Sequence, residues 1–168
     1  MKNPLQTVLL FFALSLGIAH AQNVTATVTA TDAWARATVQ GQKATGAFMT
    51  LKAKDGTKLV GASSPVAGVT EIHEMKMDKD VMKMAAISSL NLPAGEAVEL
   101  KPGGYHVMLM DLKQSLTKDA TVPITLQFQD AKGNKSQLDL KVPVLLQAPG
   151  TAAGAGMPAS HMHGNHKH

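Results

Sequence analysis

Imidazole and thioether side chains recur at alternate positions in two short stretches of this chain. His106, Met108 and Met110 alternate with Tyr105, Val107 and Leu109, while His73, Met75 and Met77 alternate with Glu74 and Lys76. Alternate residues of a β-strand share a face, so each stretch, if extended, presents one imidazole and two thioethers to one side. The chain has 10 methionines and no cysteine; apart from Met1 and Met49, the methionines crowd around these stretches and the C-terminal tail. Methionine used only as core filler would be spread through the strands. Neutral nitrogen and sulfur donors suit a soft metal ion, and the softest common candidate is Cu(I).

The elements that must hold these residues read as short strands. Val24 to Thr29 and Asp32 to Thr38 alternate as two strands, and Thr45–Lys52 pairs through an Asp55-Gly56 turn with Thr57–Ser63. Val69–Met77 is the first His/Met strand; Asp78-Lys79-Asp80 turns it into Val81–Met84. Ala97–Leu100, the Pro102-Gly103-Gly104 turn and the second His/Met strand follow, and Thr121–Phe128 with Gln137–Val142 close the set. Turn signals recur every eight to twelve residues or so without a sustained helical period, the pattern of an antiparallel β-sandwich. Pro123 and Pro143 belong at edges or strand ends, where a missing N–H is tolerated.

Residues 1–21 read as a secretory signal peptide: Lys2, an apolar run from Leu5 to Ile18, and Ala19-His20-Ala21 as a small-x-small cleavage site. The run is short for a bilayer span, so no membrane insertion is expected once it is removed. Residues 22–147 are the folded domain, which must stand on its core without disulfides. Residues 148–168 form a flexible tail, glycine-rich and then ending in His161, Met162, His163, His166 and His168. Without Lys2 the chain carries 15 Lys+Arg against 12 Asp+Glu, a net +3. That charge is modest, and no basic stripe is interleaved with stacking residues, so nucleic acid is not an expected partner.

The spacing is more informative than the methionine count. His73, Met84, His106 and Met108 follow an H-x10-M-x21-H-x-M pattern. With Asp32-Ala33-Trp34-Ala35-Arg36, Ser63-Ser64-Pro65, His73-Glu74, Leu92-Pro93-Ala94-Gly95 and Lys101-Pro102-Gly103-Gly104-Tyr105-His106, it resembles the PCuAC family of periplasmic copper chaperones. The resemblance runs from about Ala30 to Val142. It implies an all-β, cupredoxin-like antiparallel Greek-key sandwich whose Cu(I) ligands are His73, Met84, His106 and Met108. It implies delivery of copper to the binuclear copper site of cytochrome c oxidase, through its copper-site subunit or another carrier. Met75, Met77, Met82 and Met110 lie outside the signature and either widen the site, guide copper in, or pack.

The donor chemistry agrees with that implication. A blue-copper electron-transfer centre needs a cysteine thiolate and is excluded. Only the histidines must lose a proton, so Cu(I) affinity should fall as pH drops through their pKa values. The tail histidines suit Cu(II), which prefers tetragonal nitrogen and oxygen donors. No enzyme motif is present: there is no G-x-S-x-G elbow, phosphate loop or H-E-x-x-H, and His73-Glu74 falls on a strand. The expectation is a monomeric periplasmic carrier that is not an enzyme; the alternative is a copper storage or resistance protein without a specific acceptor. Among the neighbours, Met49 reads as core, Met110 as either core or copper-facing, Trp34 and Arg36 as a packing or cation–π pair, Glu74 as half of an ion pair, and Tyr105 as packed inward.

Overall fold

A computed structural model describes residues 24–25 and 27–150 of the chain. The expected signal peptide (1–21) and the His/Met tail from 151 onward lie outside the described residues. Eleven strands follow in order: β1 (Val24–Thr25), β2 (Val28–Arg36), β3 (Ala44–Ala53), β4 (Thr57–Ser63), β5 (Val69–Asp78), β6 (Val81–Ala86), β7 (Leu90–Leu92), β8 (Ala97–Leu100), β9 (His106–Met110), β10 (Thr121–Gln129) and β11 (Lys135–Leu145). Among the described residues there is no helix long and apolar enough to cross a membrane.

The strands form the two layers of a sandwich. One runs β6-β5-β9-β3-β2, with β8 added along the far half of β3; the other runs β11-β10-β4-β7, with β1 beside β11. Strand β11 serves both layers. Most of it pairs with β10, while Val144 and Leu145 pair in parallel with Ala35 and Arg36 of β2. Pairing is otherwise antiparallel, apart from the two-residue β1/β11 ladder. Neighbours that are far apart in sequence, such as β2 with β11 and β3 with β9, give the crossovers of a Greek key, and the all-β sandwich expected from the turn spacing is the fold observed.

Alternation in β10 shows why these residues form strands. Val122, Ile124, Leu126 and Phe128 are buried, while the residues between them are exposed or partly so. They meet Leu51, Val107 and Leu109 of the opposite layer in one core, closed without a disulfide. Val107 and Leu109 are fully buried, which fixes the phase of β9 and turns His106, Met108 and Met110 to its other face. Met49 is core, as expected. Pro123 sits beyond Thr125↔Ser63, the last pair between β10 and β4, so its missing N–H breaks no ladder on that side.

One pairing and three boundaries differ from the sequence reading: the strands expected to pair across Asp55-Gly56 pass into different layers instead, β3 pairing with β2, β8 and β9 and β4 with β10 and β7. The first two expected strands are redistributed as β1 and a β2 that continues from Val28 through Arg36. Asp32 takes φ +52 and the register against β3 shifts between Thr31 and Trp34, so a β-bulge inside one strand stands where the boundary between two strands was expected. Strand β7 was not anticipated, because three residues are too few for a periodic signal. Strand β11 runs on to Leu145 because Val144 is buried and its N–H bonds to Ala120 O.

Candidate metal centre

The outer face of β6-β5-β9 gathers His73, His106 and six of the chain's ten methionines. In the β5/β9 ladder His73 lies directly opposite His106, Glu71 opposite Met108 and Val69 opposite Met110. In the β5/β6 ladder His73 is opposite Ala86 and Met75 opposite Met84. Met84 and Met108 are therefore diagonal neighbours of His73 on either side, a placement set by strand phase and register together. The two imidazole rings stand 5.7 Å apart between centroids, tilted by 56°. Both histidines are buried, whereas Met84 is 50% exposed, so the site is a shallow one with a soft lid rather than a deep cavity.

Hydrogen bonds set the protonation of His106. Its Nδ1 lies 3.1 Å from the carbonyl oxygen of Gly104, which only accepts, so Nδ1 carries the proton and donates it there. The same carbonyl accepts from the N–H of Met75 at 3.1 Å, tying the loop before β9 to β5. The other nitrogen, Nε2, is left with a bare lone pair, and it faces the sulfur of Met84 at 3.3 Å. Two lone-pair donors pointed at one another are what a cation between them would bring together. Burial pushes the His106 pKa below its ordinary value; the Gly104 bond opposes this and the nearby His73 adds to it. Its neutral, metal-binding form is accordingly favoured.

His73 is held differently. Its Nε2 donates to the Glu71 carboxylate at 2.9 Å, an arrangement that orients many metal-binding imidazoles. Its Nδ1 is buried and has no hydrogen-bond partner among the described residues. An unpartnered buried nitrogen costs about 1–3 kcal/mol, which coordination would relieve. No group of three His, Cys, Asp or Glu side chains converges among the described residues. The donor set is thus two imidazoles plus thioethers, a soft set unsuited to a hard cation.

An aromatic wall borders the site. The Phe48 ring is 6.2 Å from the His106 ring and 4.7 Å from Trp34, and the Arg36 guanidinium lies 6.0 Å from Trp34 and 5.8 Å from Phe48. Gly46 makes this possible: a Cβ there would come within 2.7 Å of the Phe48 ring. Trp34 and Arg36 therefore play the packing and cation–π role expected of them. Met110 is partly buried at the far end of the face, opposite Ala44 and Val69. Tyr105 packs partly against the core, as expected.

Glu74 departs from expectation. Among the described residues its side chain enters no ion pair; it faces Tyr105, whose pKa is raised by burial first and then by the Glu74 charge. The carboxylate that meets a site histidine is Glu71, two residues before His73 and on the same strand face. Strand phase was a signal that could have found it. Phe48 and the Gly104 carbonyl carried no such signal, since they reach the site only through pairing of β3 with β9 and the fold of the preceding loop. A groove of about 700 Å³, lined by Thr27, Asp55, Asp130 and Lys132 among others, lies toward the opposite end of β3 and holds none of these groups.

The LpqE-like family model matches residues 28–144, from the first buried valine of β2 to the last of β11. A relative from Leifsonia xyli subsp. xyli, Lxx21020, named as a lipoprotein, is 35% identical over 113 residues, or 65% of this chain. The match spans 66% of that relative, just under two thirds of its length. Among solved structures, apo-DR1885 from Deinococcus radiodurans is 29% identical with a TM-score of 0.52, covering 88% of this chain and 98% of its own. Its CuI form is 33% identical with a TM-score of 0.50, covering 75% and 82%. The apo PCuAC domain from PmoF1 shares the fold with a TM-score of 0.55 at 22% identity, over 73% of this chain and 98% of that domain.

Proposed function

The chain belongs to the LpqE-like family, in its PCuAC type, and from that premise we propose that it is a copper chaperone that carries Cu(I) on His73, Met84, His106 and Met108. The observation that carries this reading is the 3.3 Å approach of the bare Nε2 of His106 to the Met84 sulfur, beside a second buried imidazole with an unused nitrogen. Met108 completes the set from the same face of β9, two residues beyond His106. The CuI-bound neighbour DR1885 supports the choice of metal.

The mechanism follows from the donors. Thioethers stay neutral and unprotonated at any physiological pH, and they hold Cu(I) without the strength of a thiolate. The half-exposed Met84 is the ligand an acceptor meets first. Its sulfur leaves as an acceptor's donor arrives, while the buried and hydrogen-bonded imidazoles keep the ion in place until the exchange is complete. Burial of His106 keeps it neutral, and Glu71 with Gly104 O fixes both ring orientations. The reaction is ligand exchange without bond-making in a substrate, which is why the reading is a carrier rather than an enzyme.

The acceptor is the binuclear copper site of cytochrome c oxidase, met in the periplasm after export by residues 1–21, with the protein acting as a monomer. His161, Met162, His163, His166 and His168 form an auxiliary Cu(II) site on a tether. Anaerobic Cu(I) competition against a chromogenic chelator tests the ligands. A Met84→Leu, Met108→Leu variant preserves volume and removes sulfur, and it should lose at least tenfold in affinity; wild-type affinity in that variant would defeat the assignment. Incubation with an apo oxidase copper domain separates this reading from storage, because a carrier metallates it and a store retains its copper.

A further inference from the structure

Four methionines share one face of the β5–β6 hairpin, and only Met84 belongs to the proposed centre. Met75 lies opposite Met84 and Met77 opposite Met82, with Cβ atoms of such pairs about 4.5–5.5 Å apart. The register is pinned by the turn: Lys79 and Asp80 have φ +48 and +64, as a two-residue type I′ hairpin requires. A slip by one residue would turn one methionine row to the other face. That other face carries Glu74, Lys76 and Lys83, which keep the hairpin in water.

Neither packing nor strand preference explains Met77 and Met82, and Met75 beside them is only partly buried. Every residue of β6 is exposed, and Met77 and Met82 are 61% and 45% exposed. Side chains left in water gain nothing from burial. Pleated strands favour β-branched and aromatic residues over methionine. An exposed apolar row rimmed by charge marks an interaction site; in this row, however, every large group is a thioether, which selects a soft cation over a general apolar partner.

We propose that Met75, Met77 and Met82 form a second Cu(I) site, made of thioethers alone, on the outer half of the β5–β6 hairpin. Cross-strand thioethers at this spacing can converge on one ion, and three neutral sulfurs suit the low coordination of Cu(I). Along β5 the site begins at Met75, about 7 Å from the His73 position, and ends at Met77, about 14 Å from it. Copper moves between the two by exchange of thioether ligands: one Cu–S bond forms as another breaks, the ion remains Cu(I), and no proton or electron is transferred. Only this last handover rests on the proposed function of the His/Met centre; the hairpin site stands on its own geometry.

The test uses the full chain with ¹³C-labelled methionine methyls, titrated anaerobically with Cu(I) supplied as its acetonitrile complex. Met77, Met82 and Met75 should shift together, separately from Met84 and Met108 and from the tail residues Met157 and Met162. A Met77→Leu, Met82→Leu variant should weaken the hairpin response at least tenfold and leave the Met84 and Met108 response unchanged. Both substituted residues are exposed, so the fold is retained, which amide spectra verify. Methyls of Met77 and Met82 that stay unmoved at four equivalents overturn the proposal, as does a response only on adding an acceptor protein, which marks a docking surface. Shifts at Met77 and Met82 without any at Met84 or Met108 would uphold the hairpin site and sink the proposed His/Met centre.

Discussion

His106 is where residue-scale chemistry is most sharply defined. Gly104 O takes the proton of Nδ1, and burial disfavours adding one to Nε2. A base with a lowered folded-state pKa costs stability as pH falls, because the unfolded chain takes up its proton first. The loss begins as pH drops through the ordinary value of 6.5 and is complete below the folded His106 pKa. In the apo protein, the His106 ring protons should therefore titrate with a midpoint below 6.5, read by NMR. Proton competition at this ligand should set in only below that midpoint; a midpoint above 6.5 would show that burial does not govern this ring. Glu71 acts through His73. Glu71→Ala should weaken Cu(I) binding about 10- to 100-fold. The same substitution should change stability by less than about 1 kcal/mol, since its side chain is 44% exposed. Chelator competition and a urea melt on the same sample separate the two effects. His73, Met84, His106 and Met108 were legible as a spaced set, and Glu71 was legible in principle from phase. The unused Nδ1 of His73 was not, because burial and ring orientation are tertiary facts.

At the scale of elements, the centre depends on β3 as much as on the strands that carry its donors. Gly46 lies opposite Met108, and the Phe48 ring rests where a Cβ at Gly46 would stand. Gly46→Ala should force that ring aside and cost about 1–3 kcal/mol by overpacking, measured by denaturant unfolding. Because Phe48 borders His106, Cu(I) affinity should fall as well. A Gly46→Ala protein with wild-type stability would show that the ring has room to move. The strands β3, β4, β8 and β10 were legible because alternation there matches one buried face. The bulge at Asp32 and the three-residue β7 were not: the first is a local backbone choice made to keep Trp34 opposite Phe48, and the second is shorter than any period.

For the whole molecule, the arrangement divides into a closed sandwich and a hairpin standing out at one edge. The core runs through both layers and touches the centre through the inward residues of β9 and Ile72 of β5, while the donor side chains lie on the outer face, so stability and copper binding should be separable. Truncation after Gln147 removes the tail histidines and leaves β11 whole. It should abolish the auxiliary Cu(II) equivalent, read by visible absorption, while leaving Cu(I) affinity within about twofold and the unfolding midpoint unchanged. Unaltered Cu(II) stoichiometry would remove the tail from the account.

The sequence alone determined that the fold is all-β and which face of each His/Met strand carries its imidazole and thioethers, because side-chain alternation is a property of a single strand. It also determined the donor types, since no cysteine exists to make a thiolate. Only the tertiary structure decided that His73 meets His106, that Met84 points its sulfur at a bare nitrogen, and that Gly104 and Glu71 set the two rings. Those are matters of register between strands distant in the chain, and register is fixed by turns and by the shared core rather than by either strand's own pattern.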